Sequence, residues 1–506
     1  MKYLLIIPVF AFFLSTSVSA QTIADAYRLS NQRINGTARS SAMGNAFGAL
    51  GGDITSLSIN PAGIGVYRTG EFVLTPVIKS NDSELSLNGN NFTDNKFQIN
   101  LNNIGLIGVV NLRNEGSGIV SFNYGLGYNN IMDFNQNYYG MNNGSPNSYL
   151  DGIVNYANSE GLSNAYLNQN LNQIDYRDWP TKLAWDTYLI NPALDNNNNE
   201  IDGEYNSLLY TNETVDQRKS YSQSGGIDEF VLSGGININH KAYLGASFGI
   251  QNVDLNQRTE YTEILENNDS YTFGEDYSLT GTGYNFKFGA IFKPTNNLRL
   301  GAAIHTPTYY VLNEQKQIFI NSRLLDNHSS DGINLYDYNF YNPWKAILSG
   351  AYTFGKKGLI SFDAEYVDYT TMKFRRSSKS NEDLSDINNE ISANFKKAIN
   401  YRLGAEYKIT PQFSVRGGYE FYPNSQKQPL GDEYQPGSLD NSSIYAFGFG
   451  YASYGFFTDI SFRNITEKYL LNEVQPNFKM NPTNKNNDMN LTNKNNKILL
   501  TVGYKF

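Results

Sequence analysis

The stretch that most restricts this chain is Ile498–Phe506. In steps of two, Ile498, Leu500, Val502, Tyr504 and Phe506 are apolar or aromatic, with Leu499, Thr501, Gly503 and Lys505 between them. Successive strand side chains point to opposite faces, so one face is greasy and the other mostly small or polar. About nine residues is also the length with which a tilted strand crosses a bilayer. Alone, the stretch fits either the edge strand of a soluble sandwich or the last strand of a membrane barrel.

The pattern recurs upstream. Period-two segments fall at 70–81, 98–112, 117–129, 227–239, 241–262, 276–294, 297–319, 343–355, 358–374, 395–410, 412–422, 441–454, 455–469 and 496–506. Tyr284, Phe286, Phe288, Ala290 and Phe292 share a face, as do Tyr401, Leu403, Ala405, Tyr407 and Ile409. Short connections at Arg113–Gly116, His240, Thr295–Asn296, Lys356–Lys357, Pro411 and Tyr454 alternate with long ones at 82–97, 130–226, 263–275, 320–342, 375–394, 423–440 and 470–495. Short periplasmic turns, long outer loops and an even strand number mark an outer-membrane barrel. Closure also leaves no strand edge unpaired in lipid. The expectation is an all-β chain, a 14-stranded antiparallel transmembrane β-barrel over 70–506 with a long extracellular loop at 130–226. Its C-terminal strand, closing on Phe506, resembles the C-terminal signal of bacterial outer-membrane barrels.

The chain opens with Lys2, an apolar run from Tyr3 to Leu14, and Val18-Ser19-Ala20. This reads as a secretory signal peptide over 1–20, too short and wrongly flanked to span a membrane. There is no Cys, hence no disulfide, thiolate metal site or lipid-anchored cysteine. The rest has no run of 18 apolar residues, and its mean hydropathy of −0.46 excludes a helical membrane bundle. A barrel exposes alternate residues to lipid, so it averages as polar. The abundance of Tyr (38), Phe (30) and Gly (44) suits aromatic girdles and Gly-rich strands. A net charge of −9 argues against a nucleic-acid partner.

Opposite the apolar faces lie Lys287, Arg299, Arg402, Glu406, Arg416, Glu420, Asp363 and Glu365. In a lumen this wide they are expected to form solvated ion-pair networks across strands. Between signal and first strand, residues 21–69 have no strand rhythm and are rich in Gly, Ala, Ser and Asn. The barrel interior is the natural place for them. Pro61 has no N–H and biases Asn60 toward extended backbone, and Ala62 and Gly63 leave room for a close approach to a wall.

Gly44-Asn45-Ala46-Phe47 and Asn60-Pro61-Ala62-Gly63 resemble the hatch of the outer-membrane transport family of the long-chain fatty-acid transporter (FadL/TodX-like) type, which includes channels for aromatic hydrocarbons. Tyr284–Pro294 with Leu298–Pro307, and Tyr401–Tyr407 with Arg416–Tyr419, look like further matches in the barrel. The resemblance implies a Gram-negative outer-membrane location, a hatch over 21–69 and passive uptake of long-chain fatty acids or similar hydrophobes. It implies hatch and gating roles for Gly44, Phe47, Asn60, Pro61, Ala62 and Gly63. It also implies an inward kink of the third strand that opens the wall sideways, placed here at Gly125 and Gly127.

Within the long loop, 149–161 and 166–189 have helical apolar spacing. Tyr176, Trp179, Leu183, Trp185 and Tyr188 could form an outward capture groove, or a packed lid over the barrel mouth. No catalytic residue, metal ligand set or cofactor is expected. His240, His305 and His328 show no spacing that pairs them with Ser or Asp. The competing readings are a haem or porphyrin receptor and a surface-antigen barrel that transports nothing. The expected partners are a hydrophobic small molecule and outer-membrane lipid, with the chain a monomer.

Overall fold

The computed structural model describes residues 22–87, 89–112, 118–209, 213–323, 328–378, 383–427, 437–438, 441–471 and 489–506. The expected signal peptide, the turn at Arg113–Gly116 and most of the loop at 470–495 lie outside them.

Fourteen antiparallel strands form one closed barrel. They are β1 (Glu71–Leu87), β2 (Asn90–Asn111), β3 (Ile119–Asp133, continued by Gln136–Ser145), β4 (Val215–Ile238), β5 (Ala242–Ile264), β6 (Ser270–Phe292) and β7 (Leu298–His305, then Tyr309–Ser322). There follow β8 (Ser329–Tyr341, then Lys345–Phe354), β9 (Gly358–Asp368, then Lys373–Arg376), β10 (Lys397–Lys408), β11 (Phe413–Tyr422), β12 (Ser442–Ser453), β13 (Phe456–Leu471) and β14 (Met489–Lys505). The C-terminal strand closes the cylinder on the first, from Glu71↔Lys505 to Ser86↔Asn490.

The alternation read in the sequence is the lipid belt. Phe72 and Leu74 on β1, Phe286 and Phe288 on β6, Leu403 on β10, Phe447 and Phe449 on β12, and Leu500 and Val502 on β14 are exposed on the outer surface. Their neighbours along each strand point inward and are buried.

Several expected outer loops are strand instead. Residues 82–97 continue the β1–β2 hairpin, with Asp82↔Asn95 and Leu87↔Asn90 in register. Residues 320–342 are mostly the outer halves of β7 and β8, and the connection at 263–275 shrinks to a turn around Asn267–Asn268. Above the lipid the outward faces carry Asn, Asp, Ser and Lys, so apolar alternation fades. The backbone ladder does not need it. The long insertion likewise starts only after Ser145 and ends before Val215. It holds α4 (Tyr149–Glu160) and α6 (Trp179–Asp186), within the two stretches expected to be helical, and α5 (Asn164–Leu167), which straddles the start of the second; the middle of that second stretch is not α-helix.

Residues 22–69 lie against the inner wall as α1 (Ile23–Ser30), α2 (Ala38–Ala42), α3 (Ser56–Ile59) and a 3₁₀ turn at Pro61–Val66. α2 contacts β11 to β14, and the 3₁₀ turn contacts β3 to β6.

Leu403, 50 % exposed midway along β10, gives a test of the belt. Leu403→Arg should lower barrel stability by about 2–4 kcal/mol in urea titrations in lipid vesicles. A change at a water-facing position would be far smaller.

Candidate functional site

The leading segment is held by backbone fit and by carboxylates. The fit comes from glycines of the wall. A Cβ on Gly245 would overlap the Pro61 carbonyl, one on Gly289 would overlap Asn60, and one on Gly301 the Gly48 carbonyl. Gly404 and Gly418 face Met43 and Gly44 in the same way. The room expected at Gly63 is thus in the wall, while Gly63 itself packs on Ser56 and Gly51 within the segment. Gly44 has φ +58°, a left-handed conformation glycine adopts without strain.

Asn60 caps the 3₁₀ turn. Its Oδ1 accepts from the Ala62 N–H (3.1 Å), and its Nδ2 donates to the carbonyls of Gly48 (2.6 Å) and Ala290 (3.2 Å). Ala62 packs with Tyr243 and Ile291, and Phe47 with Ala303, Ile347 and Ala351. Of the expected gating residues, Asn60, Pro61, Ala62, Gly44 and Phe47 therefore touch the wall.

Four wall carboxylates each bind the segment and a wall cation. Glu229 accepts from Ser58 Oγ (2.7 Å) and Lys287 Nζ (2.5 Å). Asp363 accepts from the Gly48 N–H (3.1 Å) and lies 3.7 Å from Arg402. Glu406 takes Arg39 (3.0 Å) and Arg416 (2.7 Å), and Glu420 takes Asn45 (3.2 Å) and Arg463 (2.7 Å). Arg299 donates to the Leu50 carbonyl. The inward charges pair across strands as expected, but they are buried instead of solvated, and several of the carboxylates also dock the segment. Their alternation was visible in the sequence, but their partners come from residues far away in the chain. His305 also serves the segment, its Nε2 donating to the Ile59 carbonyl (2.9 Å).

Above this contact lies a cavity of about 40 Å³ lined by Gln32, Ser58, Lys287, His305, Lys345 and Arg402 among others. Beside it is a packed apolar cluster, a chamber that α1 fills. Ile23, Ala26 and Leu29 of α1 pack there with Ile131, Phe134, Leu279, Tyr310 and Phe340 of the wall.

The wall parts between β2 and β3, and a second unpaired edge lies along the outer half of β8, where Ser329–Asp337 pairs with β7 alone among the described residues. The β2–β3 ladder runs from Asn111↔Ser121 to Asn103↔Asn129 and stops. Beyond it, Asn90–Leu101 pairs with β1 alone, and Asn102 is skipped opposite Thr75 and Pro76. β3 meanwhile leaves the wall line. It skips a residue against β4 between Asn130 and Met132, breaks after Asp133, and resumes beside β4 at Gln136↔Gln223. The expected kink at Gly125 and Gly127 is not there. Both glycines pair without interruption on both sides, because Leu57 and Ile64 of the leading segment pack into the space their missing side chains leave. The departure comes at Ile131–Asn135, where Asn and Asp side chains take over backbone partners: Asp133 Oδ1 accepts from the Asn135 N–H at 3.0 Å.

The long insertion forms a lid with its own core instead of an outward groove. Trp179 and Leu183 are buried with Leu150, Ile153 and Phe273. Tyr176 packs edge-on to Trp179 (5.0 Å), and Trp185 edge-on to Tyr205 (5.8 Å). Tyr188 remains exposed against His328. Buried Glu263 pins the lid, accepting from the Tyr149 N–H (2.9 Å), Ser148, Gln217, Tyr261 and Tyr271. No three-ligand metal cluster occurs among the described residues.

A closed, lipid-belted cylinder with a segment packed in its bore and a seam in its wall defines an outer-membrane transport barrel. The chain belongs to the family of outer membrane protein transport proteins (OMPP1/FadL/TodX), whose model matches residues 227–506. No curated protein matches it in sequence. Among solved structures it is similar to a Pseudomonas aeruginosa FadL homologue, with 13 % identity, 94 % of this chain and 100 % of that one covered, and a TM-score of 0.55. It is also similar to the P. putida toluene transporter TodX, with 12 % identity, 92 % and 97 % coverage and a TM-score of 0.51. These likenesses establish the fold. The location is the outer membrane.

Asn60→Ala removes three hydrogen bonds, one of them to the wall at Ala290, but no contact between one wall strand and another. Amide exchange across 22–69 should speed up by about tenfold or more, with the barrel's unfolding midpoint unchanged.

Proposed function

We propose that this barrel is a passive channel for long-chain fatty acids or similar hydrophobic compounds, with residues 21–69 as its hatch and lateral release through the seam between β2 and β3. The observation that carries the reading is the end of the β2–β3 ladder at Asn103↔Asn129 while β2 continues to Asn90. At its lower end, where Phe97, Ile99 and Leu101 face outward, this unpaired edge lies at membrane depth, where it is costly, so its presence calls for a use.

The chamber beside the seam supports the same reading. Each methylene moved from water into it gains roughly 0.8 kcal/mol, so a chain-like cargo binds without specific polar contacts. Ile131 and Phe134 belong to both chamber and seam. α1 fills the chamber, so cargo competes with it. Moving α1 and the turn at Asn60-Pro61-Ala62-Gly63 is the gating step. Each wall carboxylate that loses a hatch donor keeps its wall cation, so the displacement strands no bare charge. Closure of β14 onto β1 removes the terminal edges that a partner strand would otherwise extend, which supports a monomer surrounded by lipid. The similar proteins include toluene transporters and a FadL homologue, so both aromatic and acyl cargo fit the reading.

The chain has no cysteine, so a cross-link is clean to introduce. Gln98→Cys with Asn135→Cys, joined by a short cleavable thiol cross-linker, should abolish uptake of a radiolabelled fatty acid. Cleaving the linker should restore it. Full uptake by the linked protein would refute lateral release.

A further inference from the structure

The inner lip of the seam carries a charge pattern that the gating account does not use. β14, β1 and β2 lie side by side. Lys497, Lys79 and Gln98 occupy one register row across them, and Asn495, Asn81 and Lys96 the adjacent row. Lys79 is paired with Asp133 of β3 (2.5 Å). Asp94, farther up β2, turns its Oδ1 to the Asn95 N–H (2.7 Å). Three lysines thus face two carboxylates on this lip.

Lys96 sits at the parted edge and reaches across it. Its Nζ donates to Asn137 Oδ1 (3.2 Å) and to the Gln223 carbonyl (2.8 Å), both neutral oxygens. Gln98 spans the same gap to Asn135 Oδ1 (2.8 Å). A carboxylate offered to Lys96 would replace neutral acceptors with a charged one, and such bonds are roughly twice as strong. Phe97, Ile99 and Leu101 point to lipid on the outer side of the same stretch, and Ile131 and Phe134 line the apolar chamber within. A single-chain molecule with an anionic head satisfies both surroundings at once. A hydrocarbon leaves Lys96 with nothing better than its present partners.

We infer that Lys96 is the specificity-determining residue of the seam, taking the carboxylate head of an acidic amphiphile as it crosses the wall. This rests on lateral release as proposed above. The test expresses the full chain in the outer membrane of a cell with no long-chain uptake of its own. It compares initial uptake of an ionised long-chain acid and of the neutral alcohol of equal length. Lys96→Gln should lower acid uptake about tenfold and leave alcohol uptake unchanged, while Lys96→Arg keeps both. An equal fall for acid and alcohol would make Lys96 merely a brace across the gap and overturn the assignment. So would no fall for either, or wild-type uptake of the alcohol without the acid. Heat-shifted gel mobility confirms folding of each variant, and Lys96→Met, which keeps the stem, replaces Lys96→Gln if that variant fails to fold. Wild-type protein that carries neither cargo would instead refute the transport reading itself.

Discussion

In hydrocarbon a backbone amide without a partner costs several kcal/mol. That cost explains why the chain closes β14 onto β1, and why belt residues alternate so strictly from Phe72 to Val502. It also gives the seam its meaning. Along Asn90–Leu101 one edge of β2 has no strand hydrogen-bonded to it through the backbone, and Lys96 and Gln98 bridge the space with side chains. Side-chain bridges of this kind yield more readily than a ladder.

The bore is filled by a second principle. Wall glycines such as Gly245, Gly301 and Gly404 admit the backbone of the leading segment to van der Waals distance. Glu229, Asp363, Glu406 and Glu420 hold it with shared carboxylates. Burying a charge is tolerable only when it is paired. Each of these four has Lys287, Arg402, Arg416 or Arg463 in the wall. The segment is therefore bound specifically, yet the barrel's electrostatics do not depend on it. Glu263 under the lid is different, since Tyr149 and Ser148 of the lid are among its main donors.

The fourteen strands were legible because the lipid imposes a period of two that no loop imitates. Strand ends were not, since above the belt the ladders of Asp82–Leu87 and Ser329–Tyr341 do not need an apolar outward face, and Asp82, Asp331 and Asp337 there take side-chain partners across the strands. Gly125 and Gly127 misled because glycine in a strand signals close approach as well as a bend, and here Leu57 and Ile64 approach. The true departure, Ile131–Asn135, is written in Asn and Asp turn chemistry within a stretch that read as loop. The helices of the long insertion were correctly placed from apolar spacing. Spacing could not tell whether Trp179 and Leu183 faced water or the barrel, and they face the barrel. The docking carboxylates needed three-dimensional partners that no local pattern supplies.

The central claim is that hydrophobic cargo leaves through the wall between β2 and β3. Photolabelling with a diazirine-bearing acyl chain, followed by peptide mapping of the intact barrel in outer membranes, tests it most directly. The account predicts adducts at Ile131, Phe134 and along 96–102. Adducts confined to the periplasmic end of the bore, around Tyr67, Arg68 and His240, with none at the seam, would contradict it.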